Sequence, residues 1–176
     1  MSMALSPTPV TITAGPNVPA SSPALRFHFN TAFVTSLTGI LTASEMILSI
    51  IVYALSVSSA GGISSLHLLM ALSFSYWLQC FFFLLSESTS TKPVLPATTY
   101  FLTFHALGSL LYIFVSIAHL ASFNSSGTIA AVSIAGQVFA IPVSNADVVN
   151  AAGAMGLIAG AAHLFHVALI VRKMIS

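Results

Sequence analysis

Long apolar stretches alternate with short polar breaks over most of this 176-residue chain. Four of these stretches reach the length of about 20 residues that an α-helix needs to cross the hydrocarbon core of a bilayer. They cover about residues 33–57, 63–85, 97–123 and 148–171, and Glu45 carries the only formal charge inside them. The pattern predicts an all-α integral membrane protein built as a four-helix bundle.

The connections between the stretches predict how the helices are ordered. Residues 58–62 leave room only for a helical hairpin, and residues 87–96 contain two prolines and form a second short turn. The longer third connection, residues 124–147, holds an apolar VSIAGQVFAIPV segment that we expect on the mouth of the bundle or at the membrane surface. We therefore predict an antiparallel up-down-up-down transmembrane domain over residues 31–176. Residues 1–30 are rich in Pro, Ser, Thr and Ala, and we predict that they form a disordered cytoplasmic tail.

Composition narrows the class of protein further. Hydrophobic residues make up 57% of the chain and charged residues only 4%, which is too few to cover the surface of a water-soluble domain. A formal net charge of +1 supplies no basic surface for nucleic acid. The single cysteine excludes a disulfide within the chain. Membrane lipids and other membrane proteins are the partners that remain.

The basic residues predict the orientation in the membrane. All of them fall on one side of the proposed bundle, at Arg26, Lys92, Arg172 and Lys173. The positive-inside rule makes that side cytoplasmic, so both termini are expected there. Asn124 opens an Asn-Ser-Ser glycosylation pattern on the opposite side. Its place at the end of a predicted helix favours an unmodified side chain.

Three of the predicted helices carry stripes of polar or small residues at spacings of three and four, which are expected to face inward. The first stripe comprises Thr38, Thr42, Glu45, Ser49 and Tyr53. The stripe of the third helix comprises His105, Ser109, Tyr112, Ser116 and His119. The fourth presents Ala152, Gly156, Gly160 and His163, and Gly153 joins the two glycines as a small-residue surface for helix packing.

Glu45 is the most informative of these residues. Counted along the helices, it lies about 18 Å from the cytoplasmic end, while His105 and His163 lie about 12 Å deep, so a contact between them is feasible. One interpretation is a protonated carboxyl that hydrogen-bonds to a neighbouring helix and fixes its register. The other is a proton relay or ion site in a small channel or proton-coupled transporter. Glu45, His105, His163, Ser109 and Tyr112 form the predicted intramembrane polar cluster.

The histidines raise a further alternative, a haem held between His105 and His163 in a redox protein. His166 lies off the small-residue stripe and is expected to need no cofactor. No nucleophile elbow, phosphate-binding loop or HExxH metal pair is present. We therefore expect a protein that is not an enzyme, with no catalytic residues, no cofactor and no metal ligands.

The pattern resembles the MARVEL tetraspan family, in particular its MAL proteolipid and plasmolipin branch. The resemblance rests on the first helix, GILTASEMILSIIVYAL with Glu45, on the third, TTYFLTFHALGSLLYIFVSIAHLASF, and on the ending AAHLFHVALIVRKMIS. It implies a non-enzymatic protein that organises lipid and protein microdomains, such as lipid rafts rich in cholesterol or sphingolipid. It also implies a role in vesicle trafficking or membrane apposition, at the plasma membrane or a vesicle membrane. The spacing of Gly156 and Gly160 could serve a homo-oligomer, although packing within the chain is favoured.

Overall fold

The computed structural model describes residues 29–59, 64–92, 94–126, 129–134, 137–142 and 146–176. Among these residues, four long helices follow a short one, α1 (Thr31–Val34). They are α2 (Leu37–Ser58), α3 (Ser64–Thr89), α4 (Thr99–Ser126) and α5 (Ala146–Ile175). Each is long and apolar enough to cross a bilayer. The long helices pack together, which confirms the prediction of an all-α four-helix membrane bundle.

The first predicted helix is interrupted near its start. Instead of one helix from about residue 33, the chain forms α1, which ends at Val34, and then α2. The Ser36 hydroxyl donates a hydrogen bond to the carbonyl of Phe33 at 2.6 Å and accepts one from the Gly39 amide at 3.1 Å. A Cβ atom on Gly39 would collide with the Phe33 carbonyl oxygen, so glycine permits this close approach of the two helices.

The turn between α3 and α4 is fixed by buried polar contacts. The Glu87 carboxylate is 3% exposed and accepts a hydrogen bond from the Leu95 amide at the start of a 3₁₀ turn. Asn30, just before α1, donates from its side-chain amide to the Ser90 carbonyl at 3.0 Å. Asn30 is thus attached to the bundle, while residues 1–28 of the predicted tail lie outside the described residues.

Helices α3 and α4 pack with the start of one beside the end of the other. Ser65, near the start of α3, contacts His119 near the end of α4, and Phe83, near the end of α3, packs on Phe101 at the start of α4. These two helices therefore run in opposite directions. The complete up-down-up-down order across a membrane remains a prediction.

The interior of the bundle is unusually polar and its surface is apolar. All five residues of the α4 stripe are buried, as are Thr42, Glu45 and Ser49 in α2, whereas Thr38 and Tyr53 at the ends of that stripe are partly exposed. Large apolar side chains such as Phe114, Leu68 and Ile47 point outward. This arrangement is expected in lipid, where polar groups must find partners inside the protein.

The small-residue surface of α5 packs against α4 within the chain. A Cβ atom on Gly160 would lie 2.8 Å from the Ile113 side chain, and one on Gly153 would lie 2.7 Å from that of Leu120. A Cβ atom on Gly156 would collide with the hydroxyl of Ser116. The three glycines therefore let the two helices approach closely, as small residues do in membrane proteins.

The third connection contains a feature that the helical prediction lacks. Two antiparallel strands, β1 (Ile129–Ile134) and β2 (Gln137–Pro142), form a hairpin in which Ile134 pairs with Gln137. The strands fall on the VSIAGQVFAIPV segment, whose β-branched residues favour extended backbone. The bundle itself contains only helices among the described residues.

Candidate functional site

Glu45 lies in the middle of α2 and its side chain is completely buried. The face that carries it also buries Thr42 and Ser49, one turn before and one turn after. The Thr42 hydroxyl donates to the Thr38 carbonyl of its own helix, so it does not compete for the carboxylate. The Glu45 side chain is therefore left to contact other helices.

Three histidines from two helices surround the Glu45 carboxylate. His105 of α4 places Nδ1 3.3 Å from Oε2, and His163 of α5 places Nδ1 3.4 Å from Oε1. His166, also of α5, is closer still, with Nδ1 3.1 Å from Oε1 and 3.2 Å from Oε2. The Nδ1 atoms of His105 and His163 are themselves 3.0 Å apart. We call Glu45, His105, His163 and His166 the carboxylate cluster.

Aromatic rings enclose the carboxylate cluster. Phe101 meets the His105 ring edge to face at 4.4 Å between ring centroids, and it contacts His166 at 5.4 Å. Tyr112 stacks on His163 at 5.7 Å. The Nε2 atoms of the three histidines are buried without a hydrogen-bond partner, so Nδ1 is the polar atom that each ring uses. Water is therefore largely excluded on this side of the carboxylate.

The short contacts in the cluster outnumber the protons that neutral histidines can place there. If His105 and His163 both carried a proton on Nδ1, the two N–H groups would point at each other across 3.0 Å. If neither did, two nitrogen lone pairs would face each other beside a carboxylate. One shared proton leaves at least one short contact between two acceptors. With neutral histidines and an ionised carboxylate, the cluster therefore holds more inward-facing lone pairs than protons to pair with them.

A cavity of about 570 Å³ opens at the end of the bundle that carries Lys92, Arg172 and Lys173, which we call the basic end. It lies between the start of α2, the 3₁₀ turn and the end of α5. His166 is part of its wall, and Arg172 and Lys173 line it as well. The cavity therefore reaches the outer side of His166, whose ring contacts Glu45 on its inner side.

The other predicted cluster residues have different roles. The Tyr112 hydroxyl donates to the Ser49 hydroxyl at 2.9 Å and joins α4 to α2 one layer away from the carboxylate. Ser109 is buried on the same α4 face. The structure thus brings Glu45, His105 and His163 into direct contact and places Tyr112 and Ser109 beside them.

His119 forms a separate polar site towards the opposite end of α4. Its Nε2 lies 3.0 Å from the Val149 carbonyl of α5, which can only accept, so Nε2 carries the proton. The lone pair on Nδ1 then accepts a hydrogen bond from the Ser65 hydroxyl of α3 at 2.9 Å. One neutral tautomer satisfies both contacts. His119 therefore joins three helices, with a hydrogen-bond partner for each of its ring nitrogens.

The geometry does not fit a haem between His105 and His163. Such a haem would hold the two nitrogens on opposite faces of a flat macrocycle, about 4 Å apart. Here the ring centroids of His105 and His163 are only 5.3 Å apart, closer than two imidazoles on opposite faces of one iron can lie whichever nitrogen binds it, and their Nδ1 atoms are in contact at 3.0 Å. No porphyrin fits between these rings.

His166 is the functional residue that the predicted stripes omit. It lies in direct contact with Glu45, against the expectation that it lies off the inward face. His163 and His166 are three residues apart, so one helix face presents both, and that spacing is the signal that identifies the pair. The same contacts bring possible metal-ligand atoms of Glu45, His105 and His166 within 4.8 Å of one another, while the expectation of no metal ligands stays a prediction.

The Asn124 side chain, the candidate glycosylation site, lies outside the described residues, so its state stays a prediction. Comparison of the chain with protein-family models, with curated proteins and with solved structures gives no match. The resemblance to the MARVEL family therefore rests on the sequence motifs alone.

Proposed function

We propose that this tetraspan membrane protein is not an enzyme and organises lipids and proteins in the plane of the membrane through its outer surface. The observation that carries the proposal is the distribution of side chains. Polar groups such as Tyr112 and His119 are engaged between the helices, while large apolar side chains such as Phe114 and Phe165 project outward. A surface of this kind offers contacts to acyl chains, sterols and other membrane helices.

The distribution extends to all four long helices, each of which exposes several large apolar side chains. The aromatic rings among them, such as Phe81, Phe82 and Phe114, add large apolar contact areas for lipid and for other membrane helices. Helices of 22–30 residues are also long enough for sorting into thicker bilayers rich in cholesterol or sphingolipid. Vesicle trafficking or membrane apposition would follow from such lateral sorting. The resemblance of the sequence motifs to the MARVEL family implies the same role.

Reconstitution tests the proposal. The labelled full-length chain is placed in giant vesicles that separate into cholesterol-rich and cholesterol-poor phases, and its distribution and clustering are measured. We expect unequal partition between the phases. The side chains of Phe114 and Phe165 are 68% and 55% exposed, and replacing both with Ala should change the partition. The control Phe101→Ala, at a buried position, should leave it unchanged. Equal distribution of the wild-type chain, insensitive to cholesterol, would contradict the proposal.

The carboxylate cluster favours a second candidate, a proton-coupled transporter or small channel. The cavity at the basic end reaches His166, and polar residues continue along α4 from His105 to His119. Proteoliposomes with a pH gradient separate the two candidates. Dissipation that needs the wild-type chain and disappears in Glu45→Gln supports transport. A gradient that the wild-type chain leaves intact supports the organiser.

The orientation is part of the proposal. The basic end gathers Lys92, Arg172 and Lys173, and we infer that it faces the cytoplasm. Single cysteines introduced at Ser90 and Ser176, in a Cys80→Ala background, should react with an impermeant thiol reagent only after the plasma membrane is permeabilised. Labelling of both in intact cells would reverse the assignment.

A further inference from the structure

We infer that Glu45, His105 and His166, with His163 beside them, bind one divalent transition-metal ion, and that Zn²⁺ is the ion that fits the site best. The inference concerns the interior of the bundle. It is independent of the proposed role of the outer surface. It rests on the donor atoms, their spacing, their unmatched contacts and their access to water.

The donor set is that of a transition-metal site. Imidazole nitrogen together with a carboxylate oxygen is a preferred ligand combination for Zn²⁺, whereas Ca²⁺ and Mg²⁺ need mostly oxygen ligands. The cluster offers three nitrogens and one carboxylate. Glu45 comes from α2, His105 from α4, and His163 and His166 from α5, so the ligands converge from three helices.

The spacing of the donor atoms suits a tetrahedral ion. Bonds of about 2.0–2.1 Å to a tetrahedral Zn²⁺ place neighbouring ligand atoms roughly 3.3 Å apart. The Glu45 oxygens lie 3.1 Å, 3.3 Å and 3.4 Å from the nearest Nδ1 atoms of His166, His105 and His163, respectively. The His105 and His163 nitrogens are 3.0 Å apart. These four distances between donor atoms are therefore close to those around a tetrahedral ion.

A cation also resolves the unmatched contacts in the cluster. Neutral histidines beside an ionised Glu45 cannot supply a proton for every short contact among His105, His163 and Glu45, so that without an added proton or a cation acceptors face one another. A metal ion accepts a lone pair from each ligand atom, and all these contacts then become favourable. The ion also compensates the charge of a carboxylate that has no Lys or Arg within salt-bridge distance among the described residues. This compensation stabilises the ionised carboxylate, because an unpaired charge is costly in an apolar interior.

The site has a route of entry. His166 forms part of the cavity at the basic end, which is large enough for a hydrated ion, and its side chain separates that cavity from Glu45. An ion can therefore shed water stepwise as it passes His166. The bound ion would join α2, α4 and α5 in one coordination sphere.

Metal analysis of the full-length chain tests the inference. The protein is held in lipid nanodiscs, stripped with a chelator, incubated with Zn²⁺ and freed of excess metal by gel filtration. We expect one retained Zn²⁺ per chain by mass spectrometry. With Co²⁺ as the probe, we expect the intense visible bands of a tetrahedral complex. Failure of the folded wild-type chain to retain either ion would overturn the inference.

Variants assign the ligands. Glu45→Gln keeps the shape and hydrogen-bonding capacity of the side chain but is a poor ligand, and His166→Ala removes a nitrogen. Each should weaken Zn²⁺ binding at least about tenfold, measured by competition with a chromophoric chelator. The matched control is His67→Ala, an exposed histidine of α3 that should leave binding unchanged.

The outcomes are distinct. Wild-type affinity in both Glu45→Gln and His166→Ala would overturn the inference, as would loss of binding in His67→Ala, which would mark adventitious surface binding. Gel filtration and circular dichroism establish that each variant is folded. If neither cluster variant folds, the Co²⁺ spectrum of the wild-type chain decides, because weak octahedral bands would exclude the tetrahedral site.

Discussion

Two histidine sites lie on the same face of α4, and they differ in how well their hydrogen bonds are satisfied. His105 and His119 are separated by about 21 Å along the helix. His119 has one partner for each ring nitrogen, from Ser65 and Val149. In the carboxylate cluster, three Nδ1 atoms crowd around Glu45 while their Nε2 atoms have no partner.

The difference separates two uses of histidine inside a membrane. A ring with one donor contact and one acceptor contact is a neutral connection between helices, and nothing further is required of it. A group of rings that all direct the same nitrogen at one carboxylate stores unmatched contacts, which only a proton or a metal ion can resolve. The first arrangement joins helices, and the second is the one in which we infer the metal site.

The largest effect is expected from Glu45→Leu. It removes the acceptor shared by three histidines and leaves the buried Nδ1 of His166 without its hydrogen-bond partner, which should cost about 3–5 kcal/mol of unfolding free energy. Thermal unfolding in detergent measures the change. The matched variant Glu45→Gln should retain most of the stability. Equal losses in both would show that the negative charge, rather than the hydrogen bonds, holds the helices together.

Zn²⁺ should stabilise the carboxylate cluster next most strongly. At an ion concentration about 100 times the Kd, binding to the folded state adds about 2.7 kcal/mol. The unfolding temperature of the wild-type chain and of His119→Ala should therefore rise with Zn²⁺, and that of His166→Ala should not. A rise of the same size in all three would place the ion elsewhere.

His119→Ala should have a smaller effect. It removes two hydrogen bonds between helices and leaves a cavity, for a loss of about 1–2 kcal/mol. Chemical unfolding in mixed micelles gives the value. Zn²⁺ binding should be unchanged, because His119 lies far from the carboxylate cluster. A loss of binding would mean that the two histidine sites are coupled through α4.

Tyr112→Phe should change stability least. It deletes one hydrogen bond to Ser49 and keeps the stacking on His163, so about 0.6 kcal/mol is expected. The same unfolding measurement applies, and Ser49→Ala serves as the matched partner. If the double variant loses as much as the two single variants together, the hydroxyl pair contributes no interaction energy.

Much of the fold could be predicted from the residues. Four apolar segments define the four helices, since only a helix satisfies its backbone within hydrocarbon. The polar stripe of α4 is buried along its whole length, and the glycines of α5 face α4 as their spacing indicates. The break before α2 could not be predicted, because it depends on the approach of Gly39 to the Phe33 carbonyl. The β-hairpin was likewise not predicted from its short apolar segment.

Within the site, the sequence determined which side chains are too polar for lipid, because the cost of exposing Glu45 or His105 to hydrocarbon depends on the residue type alone. Only the tertiary structure decided that His163 and His166 both meet Glu45, and that a cavity at the basic end reaches them. Contacts between helices depend on their rotation and relative height, which periodicity within one helix cannot specify. A shift of α5 by a few ångströms along its axis would therefore decide whether a histidine on it contacts Glu45 or not.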